Sequence, residues 1–438
     1  MTRFFHRPRF SFGVVLLLGV ALILTGCDEG SLNAPEIADS GQTEGLFESY
    51  VALGNSITAG LQSGGINTQT QSKSYAVLLA DSAMGTPFGT PQLAPPGCPP
   101  PLVQFFNDSG VPDPQRPSGT TASTCALRSP TASQVRNVAV PRATLADVLF
   151  NIDPTGNATP PNPDPNELTQ FILGGRTQIE AALDANPTFA SLWIGNNNVL
   201  EPALSGNPSA ATSVSQFQTE YTNILDKLET SENLKGAALI GVVNPLFVPF
   251  VSPGPVYEGL EQQGQLPPNL KVENCDTTST QTGLSPRVSV QYGFTLIDQA
   301  AKNPSQTITL DCGATGTPVL TLPEAEAVAG TVQQYNAIIQ QEASDRGFAY
   351  LNPNAVLQAL YQDLGGTPAD PTDDPIPKFP DRDSSEPFGP FFSLDGVHPN
   401  DATHRLIANE LIKLLNQPEA QGGYGTNLPT LNNVPSVP

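Results

Sequence analysis

The sequence predicts an α/β protein in which a parallel sheet is covered by helices. Two observations carry that expectation. Short apolar runs alternate along the chain with longer amphipathic segments, the order that a parallel sheet with helical crossovers requires. One of the runs, residues 237–243, is apolar almost without interruption, as a strand buried on both faces must be.

Taken in order, residues 49–53 read as a strand ending at Gly54, and residues 74–83 as the helix after it. Residues 135–140 form a short apolar run, and 145–150 and 168–183 have helical spacing. Residues 189–194 are a second strand, carrying the only tryptophan, Trp193, which reads as a core residue. Ser213 and Gln216 have the form of a capping box. Beyond them Val214, Phe217, Tyr221, Ile224, Leu225 and Leu228 fall on one helical face. After the strand at 237–243, Thr321 and Glu324 open a capped helix through Val328, Val332, Tyr335, Ile338 and Ile339. It leads to a strand at 348–351, and a last helix occupies residues 401–415.

Three stretches interrupt the scheme: 85–133, 250–318 and 364–392. They are rich in Pro, Gly, Asp, Ser or Thr and read as ordered loop insertions within one domain spanning 47–416, followed by a disordered or surface-laid tail at 417–438. The third contains Asp370, Asp373, Asp374, Asp381 and Asp383, but without the regular alternation of an EF-hand, so it is not read as a calcium loop.

Composition narrows the partners. The 438 residues include 19 basic and 41 acidic side chains, a net charge of −22, and no basic run beyond residue 9. Such a chain lacks the electrostatic footprint of a nucleic-acid binder and has little attraction to anionic lipid headgroups. Hydrophobic residues make up 38%, with 45 Pro and 38 Gly, which indicates long irregular connections around a core still large enough to fold.

At the N-terminus, Arg3, Arg7 and Arg9 precede an apolar run at 12–24, the form of a secretory signal rather than a permanent span. The run ends in Leu24-Thr25-Gly26-Cys27, which resembles the bacterial lipobox. That resemblance implies removal of residues 1–26, lipidation of Cys27, a tether over 27–46 and attachment to a bacterial envelope membrane through acyl chains. Acidic residues after Cys27 fit surface export in some bacteria and inner-membrane retention in others. Four further cysteines, Cys98, Cys125, Cys275 and Cys312, suggest two disulfides in an oxidising compartment. Of the three connectivities, Cys98–Cys125 with Cys275–Cys312 is the simplest. No CxxC spacing or Cys/His cluster points to zinc, and no metal or cofactor is expected.

Two histidines remain beyond the signal, His398 and His404. His398 lies three residues after Asp395 on a Gly-containing loop, so the carboxylate can orient the imidazole for base chemistry. His404 falls inside the last helix and reads as a packing or solvated residue. Ser56 sits just past the first strand in Gly54-Asn55-Ser56, at the carboxyl edge where open α/β sheets bind ligands. Asn196, Asn197 and Asn198 follow the second strand. A side-chain amide there suits an oxyanion donor, although such a run also forms turns.

Together these pieces resemble the SGNH/GDSL hydrolase family. The nucleophile block is Gly54-Asn55-Ser56-Ile57-Thr58, with Asn55 where the family more often has Asp. The second block is similar to 137–144, with Arg142 where Gly is usual; the third matches Gly195 and Asn197 but has Asn198 for Asp; the last matches Asp395, His398 and Pro399. The resemblance implies a flavodoxin-like α/β/α fold with about five parallel strands. It also implies ester hydrolysis through an acyl-enzyme: Ser56 as nucleophile, His398 as base and then acid, Asp395 as its orienter. The oxyanion would be held by the backbone N–H groups of Ser56 and Arg142 and the Asn197 amide. The substrate would be a small-molecule, lipid or glycan ester. Arg142 could instead present its side chain to an anionic substrate. A catalytically silent binding lipoprotein on the same fold, or a carbohydrate O-acetylesterase, are the alternatives.

Overall fold

The computed structural model describes residues 45–125, 134–150, 166–361 and 375–435. Cys27, the segment 1–26 and nearly all of the tether lie outside the described residues, as do Asp370, Asp373 and Asp374.

Four strands form the central sheet: β1 (Tyr50–Gly54), β2 (Phe189–Trp193), β3 (Gly236–Ile240) and β4 (Ala349–Leu351). Neighbours in the order β1-β2-β3-β4 are all parallel. A fifth segment joins the free edge of β1 through a parallel bridge between Asn137 and Ala52. The Ala52 N–H donates to the Arg136 carbonyl and the Val138 N–H to the Ala52 carbonyl, both at 2.9 Å. With that segment counted second in chain order, the sheet runs 2-1-3-4-5, the flavodoxin-like arrangement. The expected five strands are therefore four regular ones and an edge segment stopped by Pro141, which has no N–H to continue a ladder.

Residues of β1, β2 and β3 alternate between two cores. Val51, Leu53, Ala190, Leu192, Ala237 and Leu239 pack on one side with helices Gln178–Asp184, Val214–Leu228 and Leu322–Arg346. Tyr50, Ala52, Phe189, Trp193, Ala238 and Ile240 pack on the other with Tyr75–Ala83 and Asp401–Asn416. Every residue of these three strands is buried. Their polar groups are paired inside: the hydroxyls of Tyr50 and Ser191 lie 2.7 Å apart, and the Trp193 indole donates to the Gly241 carbonyl at 2.9 Å.

Local chemistry explains where elements differ from the expected ones. The helical pattern at 168–183 divides into Glu167–Leu173 and Gln178–Asp184, because Gly174 and Gly175 take left-handed conformations and Thr177 caps a new start. Ser213 accepts the Gln216 N–H as a cap should, but the Gln216 side chain bonds Glu220 instead of closing the box. The Thr321–Glu324 box is closed.

The first two insertions carry regular structure of their own. In the second, Leu270–Glu273 pairs in parallel with Ile308–Asp311, and Val251–Pro253 and Arg287–Ser289 form a small antiparallel sheet with Val319–Leu320 just beyond its end. Aromatic side chains from all three insertions share one core. Phe105 meets Phe388 and Phe106 meets Phe294 at centroid distances of 5.0 and 5.2 Å, and Phe379 meets both Phe294 and Tyr257. The disulfides are Cys98–Cys125 and Cys275–Cys312, the sequence-local pairing. Closing loops of 27 and 37 residues, each stabilises by roughly 3.5–4 kcal/mol in the chain-entropy account. In the C-terminal segment, the Tyr424 hydroxyl accepts the Ala237 N–H at 2.9 Å and donates to the Ala237 carbonyl at 3.0 Å, laying those residues against the end of β3. Among the described residues no helix is long and apolar enough to cross a membrane.

Candidate active site

Ser56 opens the short helix Ser56–Ala59 immediately beyond β1, so its N–H has no acceptor within the helix. Asn55 is the N-cap, its side-chain oxygen accepting from the Ile57 N–H at 3.1 Å. Gly54 has to be glycine: a β-carbon there would lie 2.3 Å from Thr58 Oγ1 and 2.6 Å from the Trp193 carbonyl. Gln178, fully buried, accepts the Gly54 N–H and donates to the Gly54 carbonyl, both at 2.9 Å, and so fixes the residue before the Asn-Ser pair.

His398 Nε2 lies 2.8 Å from Ser56 Oγ, and His398 Nδ1 lies 2.9 Å from Asp395 Oδ2. The other Asp395 oxygen accepts the backbone N–H groups of Val397 and His398 at 2.9 and 2.8 Å, and the Gly64 N–H donates to Oδ2. Burial by itself would raise the Asp395 carboxyl. The charge and ring N–H of His398, with the two backbone amides, outweigh it and hold the group down to about 2. An anionic Asp395 binds Nδ1–H and leaves the Nε2 lone pair facing the serine, the tautomer a general base needs.

His404 stands elsewhere. It is fully buried, and its Nδ1 accepts the Tyr75 N–H at 3.2 Å. Burial, opposed by Asp401, pulls it down to about 3, so it is a neutral packing residue.

The three asparagines after β2 divide their work. Asn196 accepts the Val243 N–H at 2.8 Å; Asn198 accepts the Leu145 N–H at 3.2 Å and donates to Thr212 at 2.9 Å. Both are buried structural links, whereas Asn197 is half-buried and donates one amide hydrogen to the Ala143 carbonyl at 2.9 Å. That bond joins Asn197 to the turn at 140–143, whose Val140 N–H donates to the Gly54 carbonyl at 3.2 Å. Arg142 on this turn is exposed, has φ +64°, and makes no ion pair among the described residues. A side chain in the left-handed region costs about 1–2 kcal/mol, which is the physical reason a glycine suits the position.

An apolar cavity of about 80 Å³ is lined by Ile57 and Val397, the chain neighbours of Ser56 and His398, and by Pro399, Leu357, Leu360 and Ile407. Among the described residues no group of His, Cys, Asp or Glu side chains is arranged to hold a metal.

The model of the GDSL-like lipase/acylhydrolase family matches residues 50–411. The chain belongs to this family. It is therefore a carboxylic ester hydrolase, and the residues that depart from the usual blocks have local explanations: Asn55 caps, Asn198 bridges, and Arg142 takes a glycine's conformation. Among solved structures the chain is similar to an acetylxylan esterase from Geobacillus stearothermophilus, with 11% identity over 85% of this chain and 95% of that one and a TM-score of 0.35. It is also similar to an extracellular lipase from Streptomyces rimosus, with 12% identity over 82% and 94% and a TM-score of 0.33. Scores this low do not bear on substrate. No curated protein matches the chain significantly.

Sequence reasoning missed Gln178 and the turn at Ser63–Gly64 that binds the Asp395 loop. The available signal for Gln178 was one uncharged polar residue directly after the Thr177 cap, on a face otherwise made of Ile179, Ala181 and Ala182.

The oxyanion reading is tested by kcat on a neutral p-nitrophenyl ester. Asn197→Ala is expected to lose about 10² to 10³, the effect of one preorganised donor. Arg142→Gly keeps the backbone N–H, removes the left-handed strain and retains activity, whereas Arg142→Pro, with φ near −65° and no N–H, does not. Equal losses in Arg142→Gly and Asn197→Ala would assign the work to the guanidinium itself.

Proposed function

We propose that this GDSL-family chain is a serine esterase working through an acyl-enzyme, with Ser56, His398 and Asp395 as its catalytic set. The observation that carries the reading is the 2.8 Å approach of His398 Nε2 to Ser56 Oγ, between residues 342 apart in sequence. Ser56 Oγ attacks the ester carbonyl as His398 Nε2 takes its proton, and Asp395 stabilises the imidazolium. The oxyanion is met by the Ser56 and Arg142 backbone N–H groups and the free hydrogen of the Asn197 amide. Collapse returns the proton from His398 to the departing alkoxide. Water, activated by the same histidine, then hydrolyses the acyl-serine.

Replacing Ser56 or His398 by Ala is expected to lower kcat by about 10⁴ or more, since the set acts as a unit. A fluorophosphonate should label wild type and not Ser56→Ala. Wild type that fails to label would favour the silent binding lipoprotein, and near-normal turnover in either variant would overturn the assignment.

The apolar cavity beside Ile57 and Val397 favours an ester with an extended acyl chain over an acetyl ester. Each methylene buried there contributes about 0.8 kcal/mol, so kcat/KM should rise roughly three- to fourfold per carbon until the cavity is full. Leu357→Trp should flatten that rise and leave acetyl turnover intact. A wild-type profile that peaks at acetyl would instead indicate an O-acetylesterase.

We further propose that the enzyme is an envelope lipoprotein, attached on the periplasmic or surface side of a bacterial membrane. Two acyl chains on the Cys27 thioether suffice for stable anchoring at about 0.8 kcal/mol per buried methylene. Cys27→Ser should leave the protein soluble or unprocessed on membrane fractionation. Unchanged mature, membrane-bound protein would sink the proposal.

A further inference from the structure

We infer that Arg116, delivered by the first disulfide-stapled insertion, is a positioning residue for Asp395 and through it for His398. The inference rests on the catalytic set proposed above. Arg116 follows the hairpin of Gln104–Phe106 and Pro112–Gln115 and turns inward, half-buried. Its guanidinium forks between two carbonyls: Nη1 donates to Pro100, inside the insertion, and Nη2 to Gly64 at 3.2 Å. The N–H of that same Gly64 donates to Asp395 Oδ2, the oxygen that holds His398 Nδ1. Arg116, the two backbone groups of Gly64, Asp395, His398 and Ser56 thus form one series of polar contacts from the insertion to Ser56.

The turn carrying Gly64 is held by its neighbours. Gln62 and Gly65 pair with each other, Ser63 has φ +51°, and the Leu102 N–H donates to the Ser63 carbonyl at 2.8 Å. Cys98 and Pro99 exchange backbone bonds with Ile66 at 2.8 and 2.9 Å, so the Cys98–Cys125 bridge closes the same loop that Arg116 braces. On its other side the turn reaches the base loop twice more, the Ser63 N–H donating to Ser393 Oγ at 2.8 Å and Leu394 N–H to Ser63 Oγ at 3.2 Å. A planar fork that binds two carbonyls at once is a property of arginine and not of lysine.

The guanidinium also bears a charge. Among the described residues it has no carboxylate in direct contact, and the Asp395 anion acts on it across the turn, opposing the effect of burial. His404 nearby is neutral, and Asp401 beside it pairs with Lys73. Removing the Arg116 charge should leave the Asp395 anion less well compensated and move the acid limb of the pH profile upward.

The test uses the full disulfide-bonded chain with a neutral ester. Arg116→Met is expected to lower kcat about 10- to 100-fold with KM within twofold, and to raise the acid limb of kcat/KM by about half to one pH unit. Arg116→Lys should leave the acid limb where it is and recover part of kcat. Unchanged kcat and acid limb in Arg116→Met would overturn the inference, as would a rise in KM confined to anionic esters, which would make Arg116 a substrate contact. If Arg116→Met does not fold, Arg116→Lys decides: kcat several-fold lower at unchanged KM supports the role, and wild-type kcat refutes it. Fluorophosphonate labelling separates the two levels, because wild type that does not label removes the catalytic set itself and the inference with it.

Discussion

Parallel strands buried on both faces can place polar chemistry only where they end. In β1, β2 and β3 the apolar side chains divide between two cores, and the hydroxyls of Tyr50 and Ser191 inside are paired with one another. The residues left for function are those of the loops at the carboxyl edge: Ser56 after β1, the 140–143 turn after the edge segment, Asn197 after β2. The order 2-1-3-4-5 sends the connections from β1 and β2 away in opposite directions, opening a crevice between those loops. Gln178 shows how closely the edge is controlled, since its amide bonds both backbone groups of Gly54 just before the turn to Ser56.

The second requirement is an anion held out of water. Asp395 is 14% exposed, and burying a carboxylate is costly unless its lone pairs are filled. Here backbone amides from Gly64, Val397 and His398 and the His398 ring fill them. One of those donors comes from the opposite end of the chain, so charge satisfaction itself ties the Asp395–His398 loop to the segment that follows Ser56. The insertions add a further layer. Their shared aromatic core, centred on Phe106, Phe294, Phe379 and Phe388, stands behind the base loop. Gly396 passes so close to Phe388 that a β-carbon would come within 2.8 Å of its ring. Excess acidity over the whole chain does not conflict with an anionic Asp395, because its partners are local and bulk charge is screened.

Much of this was legible in the sequence because it depends on short-range patterns. Uninterrupted apolar runs announced strands that could only be central, and the Ser213–Gln216 and Thr321–Glu324 pairs announced helix starts through bonds spanning three residues. Asp395 and His398 were readable as a pair for the same reason, being three residues apart. The local disulfide pairing follows from loops short enough for their ends to meet. Strand boundaries moved by up to three residues, as at 237–243 against Gly236–Ile240, because apolar composition continues past the point where ladder bonds stop.

What tertiary structure alone decided is everything that joins distant segments through polar groups. No periodicity marks Gly64 as a donor to Asp395, 331 residues away, and the turn's own residues are unremarkable in composition. Arg116 had one sequence signal, as the only basic residue between Lys73 and Arg128, but nothing local says that its guanidinium reaches Gly64. Which of three consecutive asparagines stays half-free was likewise settled by neighbours, Val243 and Leu145 taking the flanking two and leaving Asn197. Hydrophobic patterning is repeated along a segment and so survives being read one residue at a time. A hydrogen bond between two loops is a single event whose partners are specified only when the sheet brings its ends together.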